Sequence, residues 1–83
     1  MGYRELFFVQ TFVLSTKNKL MPGRIIPAVD AEHASRLART ISEHDAGVVA
    51  FSQMVDEKAG DADEPTLLAF YGRVPPEARD CAA

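Results

Sequence analysis

The fold of this chain is decided by residues 6–14, which have the sequence Leu6-Phe7-Phe8-Val9-Gln10-Thr11-Phe12-Val13-Leu14. The stretch is rich in aromatic and β-branched residues and contains no Pro or Gly, a pattern that predicts a β-strand. Alternate residues of a strand point to opposite faces of a sheet. Both alternate sets are apolar here: Leu6, Phe8, Phe12 and Leu14 form one, and Phe7, Val9 and Val13 the other. We therefore expect this strand in the centre of a sheet or at a subunit interface, not at a half-solvated edge.

A second strand is predicted at residues 20–28, after a short polar turn in which Asn18 is the residue best suited to a positive φ. The two strands would form a hairpin. Pro22 and Pro27 cannot donate hydrogen bonds to a neighbouring strand, which confines this strand to an edge or to bulged pairing around Gly23.

An amphipathic helix is predicted at residues 31–46. Asp30 is a favoured N-cap residue, and Gly47 would end the helix in a left-handed conformation. One buried face is indicated by apolar residues at helical spacing: Ala34, Leu37, Ala38 and Ile41. This face is narrow and rich in Ala, so the helix should pack closely against a sheet.

Residues 48–55 and 66–74 predict two further strands, the last of them stopped by Pro75 and Pro76. The element order is ββαββ, which predicts an α+β fold with a four-stranded, mainly antiparallel sheet and one helix on one face. Two sheet orders compete, 2-1-3-4 and 1-2-3-4. We favour 2-1-3-4, because the other order would place the prolines of the second strand in the interior of the sheet.

The length of 83 residues, with 47% apolar and 25% charged residues, indicates one small folded domain. We assign it to residues 1–76 and expect a flexible tail at 77–83, which has no apolar periodicity. A domain this small buries a limited share of its surface, and its single Cys81 cannot form a disulfide within the chain. Homodimerisation is therefore expected. The chain has no signal-peptide pattern and no apolar run of membrane-spanning length, so we expect a cytoplasmic protein that does not enter a membrane.

The charges are unevenly distributed. Residues 56–64 carry a net charge of −4 and residues 1–29 a net charge of +3, although the whole chain has −3. The predicted topology places the basic turn at Lys17 to Lys19 and the acidic loop at Asp56 to Glu64 at opposite ends of the sheet. The overall negative charge disfavours nucleic-acid binding. Lys17, Lys19 and Arg24 lie near an aromatic-rich strand, but so short a chain needs its aromatic rings for the core.

His33 and His44 are the two histidines of the chain. On one continuous helix, eleven residues of separation would bring them within about 20° of each other around the axis, but about 16 Å apart along it. They cannot share a metal ion. Each could still help to bind a small molecule, together with Arg36, in a pocket between helix and sheet or across a dimer interface. The alternative is that both are helical histidines with no chemical role. Arg39 points away from the apolar helix face and is not expected to reach such a pocket.

The acidic segment offers a second candidate site. Asp61-Ala62-Asp63 is similar to the start of a calcium-binding EF-hand loop, but Pro65 stands where a further oxygen ligand is needed. We expect no metal ion and no cofactor. A solvated hairpin loop, or an acidic surface for a basic protein partner, explains this segment better.

Two further stretches are Ala46-Gly47-Val48-Val49-Ala50-Phe51-Ser52 and Gly72-Arg73-Val74-Pro75. In these the chain resembles short bacterial proteins of uncharacterised function that consist of a hairpin, a helix and a second hairpin. The resemblance agrees with the predicted fold and implies no catalytic residue, ligand or partner.

The sequence brings no pair of reactive side chains together by spacing, which favours a non-enzymatic protein. Our first hypothesis is a protein-binding or homodimeric interaction module. The alternative is a small-molecule-binding or catalytic subunit that uses His33, Arg36 and His44.

Overall fold

A computed structural model describes residues 3–56 and 58–76. The elements are β1 (Tyr3–Leu14), β2 (Leu20–Ala28), α1 (Ala31–Ile41), β3 (Gly47–Asp56), β4 (Asp61–Ala62) and β5 (Thr66–Gly72). The strand order is β2-β1-β3-β5, with the two-residue β4 also paired to β3, and every pair is antiparallel. The predicted α+β class, the ββαββ layout and the order 2-1-3-4 are confirmed. The tail predicted at 77–83 lies outside the described residues.

The edge position predicted for β2 from its prolines is also confirmed. Its pairing with β1 is interrupted by a bulge between Gln10 and Phe12. At this bulge the Thr11 side chain replaces a backbone acceptor: its Oγ1 accepts a hydrogen bond from the Arg24 backbone N–H at 2.8 Å. Gly23 lies directly against that hydroxyl, so a Cβ at Gly23 would collide with Thr11 Oγ1. The bulge therefore depends on one buried Thr and one Gly.

Helix α1 begins as predicted. The carboxylate of Asp30 accepts a hydrogen bond from the His33 backbone N–H at 2.7 Å, which caps the first turn. The apolar face of the helix packs on the sheet. Five residues with no solvent exposure form the centre of this core: Val9, Ala34, Ala38, Val48 and Ala50. Because three of the five are alanines, the helix lies close to β1 and β3.

The predicted end of the helix is wrong, since α1 ends at Ile41 and not at Ala46. The apolar face is complete at Ile41, and the next residue, Ser42, turns its hydroxyl back to donate to the Arg39 carbonyl at 2.6 Å. A run of turns then leads directly into β3. Gly47 is not a helix cap: it is the first residue of β3, and it is buried where that strand meets the end of β5.

The last strand is shorter than predicted, since β5 ends at Gly72, whose φ is +71°. The acidic segment predicted as one loop also contains β4, which pairs with Val55 and Asp56. Within the part of the chain that the structure describes, no helix has both the length and the apolar character needed to cross a bilayer.

Candidate protein interface on the open face of the sheet

The sheet has two apolar faces, and α1 packs on one of them. We call that side the helix face; it carries Val9, Val48 and Ala50. We call the opposite side the open face. Its members are Leu6, Phe8, Gln10 and Phe12 of β1, Pro22, Ile25 and Pro27 of β2, Val49, Phe51 and Gln53 of β3, and Leu67 and Phe70 of β5. The strand predicted to be apolar on both sides is indeed central, and one of its faces lies away from the helix.

The strand register assigns these residues to one face, because residues directly opposite each other on antiparallel strands point the same way. Phe8 lies opposite Phe51 of β3 and opposite Pro27 of β2. The rings of Phe8 and Phe51 are in contact, with centroids 5.5 Å apart and planes tilted by 33°. Leu67 continues the row on β5, opposite Phe51. A continuous apolar row therefore crosses all four long strands.

A groove of about 220 Å³ lies next to this row. Its lining residues are Gln10, Phe12, Pro22, Val49, Phe51, Pro65 and Leu67. Two prolines stand on its flanks, Pro22 from β2 and Pro65 from the segment before β5. The groove carries no charged side chain, so what it can bind is apolar surface.

Gln10 is the polar residue of the groove, and its orientation is fixed by hydrogen bonds. Its Nε2 donates to the carbonyl of Thr11 at 2.9 Å and to the carbonyl of Arg24 at 3.3 Å. Carbonyl oxygens only accept, so the NH₂ group must face them and the amide oxygen must point elsewhere. Gln10 lines the groove, and its amide oxygen is the acceptor end of the side chain, turned away from these two carbonyls.

The open face exposes large apolar side chains. Ile25 is 60% exposed and Phe70 is 43% exposed, although both lie in strands beside buried neighbours. Between them Val49 is only 3% exposed. Antiparallel sheets that face water usually carry polar residues on that side. The composition of the open face therefore differs from that of a typical solvated sheet face.

A second cavity, of about 320 Å³, lies at the end of the β1–β2 hairpin where β2 leads toward α1. It is lined partly by the charged Arg4 and Glu5, and Leu6 and Phe8 connect it with the open face. Neither of these two cavities is lined by His33, Arg36 or His44.

The three residues proposed for ligand binding lie on α1 and in the turn after it. His33 lies in the first turn of α1, where its Nδ1 accepts a hydrogen bond from the Val29 backbone N–H at 3.1 Å. Arg36 is exposed on the helix, and His44 is exposed in the turn after it. The expectation that both histidines share one helical face is wrong, because α1 ends at Ile41. A ligand site at these residues stays a prediction.

The acidic segment, residues 56–64, is the second candidate site in the sequence. Among residues 3–56 and 58–76, no three side chains of His, Cys, Asp or Glu lie close enough to hold a metal ion. In the acidic segment, the Asp56 carboxylate instead accepts hydrogen bonds from the backbone N–H groups of Lys58 and Ala59, at 3.0 and 3.3 Å. Asp56 therefore stabilises the turn that follows β3.

The residues that sequence reasoning overlooked are the apolar ones. Phe51, Leu67 and Pro65 line the groove, and none of them was considered for a site because none carries a reactive group. The available signal was the double apolar pattern of residues 6–14, which requires a cover on both sides of the sheet. The single helix α1 packs on only one of these two faces.

The groove and the apolar residues of the open face around it are therefore the candidate functional site. Comparison of the chain with protein-family models, with curated proteins and with solved structures gives no match.

Proposed function

We propose that this protein is a non-enzymatic interaction module that binds a second copy of itself through the open face of its sheet. The single observation that carries the proposal is the apolar composition of this face on the side opposite α1. Burying apolar surface contributes about 25 cal/mol for each Å² removed from water. Ile25 and Phe70 would contribute most, since they are large apolar side chains of the face and are 60% and 43% exposed.

The size of the open face supports a weak to moderate dimer. Four strands spaced about 4.8 Å apart, over the stretch from Leu6 to Phe12, give a projected area of roughly 400 Å². Side chains that rise from the sheet make the accessible area larger than this projection. Patches of several hundred Å² mark interaction sites, and a standard interface buries about 800 Å² on each partner.

A second copy suits this face better than an unrelated charged partner. The residues assigned to the face are apolar or uncharged, so two copies can meet without burying an unpaired charge. A two-fold axis also brings the same patch to both sides, which makes every apolar member self-complementary. Two sheets packed face to face lie about 10 Å apart, as in a β-sandwich.

We retain the cytoplasm as the proposed compartment.

The test is a charge placed on the open face. We expect Ile25→Asp to weaken dimerisation at least tenfold, because the carboxylate would be buried against apolar surface, while the monomer stays folded because the residue is exposed. The matched control is Val29→Asp, at a residue that is 79% exposed and lies outside the sheet. The dissociation constant would be measured by analytical ultracentrifugation between micromolar and millimolar protein, and folding by far-UV circular dichroism.

Two results would contradict the proposal. One is a wild-type protein that remains monomeric over the whole concentration range. The other is equal weakening by Ile25→Asp and Val29→Asp, which would indicate that the effect of the new charge does not depend on the open face.

A second candidate function is the binding of a small apolar molecule in the groove. It is favoured by the combination of an uncharged cavity of about 220 Å³ and the acceptor oxygen of Gln10. These features suit an aromatic ring that carries one hydrogen-bond donor, such as a phenol or an indole.

This second function predicts selectivity for a donor. In two-dimensional NMR titrations, phenol should shift the resonances of the groove residues at lower concentration than toluene does, because toluene has no group to donate to Gln10. Gln10→Leu should remove the preference for phenol and leave toluene binding intact. Equal responses to phenol and toluene in the wild type would exclude the proposed role of Gln10.

A further inference from the structure

The sheet carries opposite charges at its two ends. The β1–β2 turn presents Lys17 and Lys19, both exposed. At the other end Tyr3 lies opposite Asp56, and the segment after β3 presents Asp63 and Glu64, also exposed. The longest dimension of the molecule is 45 Å, which corresponds to the length of β1, about 40 Å for twelve residues. The charges are thus separated along the strands.

Both charged ends are held in place by hydrogen bonds. In the basic turn, Ser15 Oγ accepts from the backbone N–H groups of Lys17 and Lys19, at 3.2 and 3.1 Å. At the acidic end, the Asp63 N–H donates to the Met54 carbonyl and the Asp63 carbonyl accepts from Gln53 Nε2, both at 2.9 Å. The backbone positions from which these charged side chains extend are therefore fixed relative to the sheet.

Two kinds of two-fold axis can place one open face on another. An axis parallel to the strands would put the basic turn of each copy beside the basic turn of the other, and the acidic ends likewise. An axis perpendicular to the strands, lying between the sheets, reverses the strand direction and puts Lys17 and Lys19 beside Asp63 and Glu64 of the second copy. The first arrangement places like charges together at both ends, and the second places opposite charges together at both ends.

We propose that the second copy binds with its strands reversed, so that the basic turn of each chain pairs with the acidic end of the other and ionic strength controls the association. This inference rests on the proposed dimerisation through the open face. Aligned sheets cross at about 30°, which would separate the paired ends by about 10 Å at a distance of about 20 Å from the centre. The Debye length is about 8 Å at 0.15 M salt and about 30 Å at 0.01 M, so these pairs act strongly only in dilute salt.

The experiment measures the dimer dissociation constant of the full chain by analytical ultracentrifugation at 20 mM and 500 mM NaCl. We expect the wild-type constant to rise at least threefold between the two salt concentrations. At 20 mM NaCl, Lys17→Glu with Lys19→Glu should weaken the dimer about tenfold, and Asp63→Lys with Glu64→Lys should do the same. The chain with all four changes should recover wild-type affinity, because the ends are again complementary. That recovery also controls for loss of folding.

The outcomes separate this inference from the one on which it rests. A dimer that tightens as salt is added, or that keeps its affinity in both charge-reversed pairs, would overturn the reversed arrangement and leave the open-face dimer standing. A wild-type chain that is monomeric at both salt concentrations up to millimolar protein would overturn the open-face dimer itself.

Discussion

Replacement of Gly47 by Ala is expected to lower the free energy of unfolding by about 3 kcal/mol or more, the upper range for overpacking a core. A Cβ at Gly47 would lie well inside 3.0 Å of the Arg73 backbone carbonyl. Neither strand can move away easily, because the Arg73 N–H donates to the Ala46 carbonyl at 2.9 Å and the β3–β5 ladder continues beyond it. The total stability of a chain of 83 residues is about 4 to 12 kcal/mol. A loss of about 3 kcal/mol would leave about 1 to 9 kcal/mol, so the variant should unfold at a clearly lower urea concentration than the wild type.

The matched control for this change is Gly60→Ala. Gly60 has a positive φ, +74°, which Gly47 does not have, and a Cβ at Gly60 would meet no heavy atom within 4 Å. Only the left-handed backbone conformation is penalised, by about 1 to 2 kcal/mol. Urea unfolding followed by far-UV circular dichroism measures both variants. If Gly60→Ala proved as damaging as Gly47→Ala, the close approach of β3 to Arg73 would not be the cause.

Replacement of Thr11 by Val should lower the free energy of unfolding by about 2 kcal/mol and the melting temperature by about 8 to 16 °C. The side chain is 1% exposed, and its hydroxyl is the acceptor for the Arg24 backbone N–H at the bulge. Valine has nearly the same shape, so packing is preserved while the N–H loses its partner. An unpaired N–H at a poorly solvated position costs about 1 to 3 kcal/mol.

Two substitutions test the role assigned to this hydroxyl. Thr66→Val alters an exposed threonine of β5 and should change the stability by no more than about 0.5 kcal/mol. Thr11→Ser keeps the hydroxyl and should lose only the contribution of one methyl group, about 1 kcal/mol. The assignment fails if the serine variant melts at or below the temperature of the valine variant.

The arrangement of the sheet could be predicted because several local features agreed. Residues 6–14 required a central strand, and Pro22 and Pro27 required an edge strand beside it. Asp30 marked the start of α1 by a hydrogen bond to a residue three positions away. Each of these features depends on neighbours in sequence or on the chemistry of one residue type.

The features that could not be predicted depend on contacts between distant residues. Gly47 follows a helical pattern and therefore suggested a helix cap, but its real requirement comes from Arg73, which is twenty-six positions away. The end of α1 at Ile41 was missed for a related reason, because the chain must leave the helix early enough to reach β3.

The candidate site was predicted only in part. The sequence indicated an excess of apolar surface around β1 but could not decide which face α1 would cover. His33 and His44 were candidate site residues because an imidazole can bind ligands or transfer protons. The groove is instead lined by Phe12, Val49 and Leu67, which come from three different strands. Apolar grooves of this kind arise from tertiary structure and leave no short motif.

The prolines of β2 also determine how far any assembly can grow. A sheet can polymerise head to tail only if one edge of each copy accepts the opposite edge of the next, which here would mean joining β5 to β2. At two of its nine positions, Pro22 and Pro27, strand β2 has no N–H to donate, and its bulge interrupts the regular spacing of the rest. These features make β2 a poor pairing partner for β5 of another copy. The same residues that place β2 at the edge thus also disfavour growth of the sheet by edge-to-edge joining of copies.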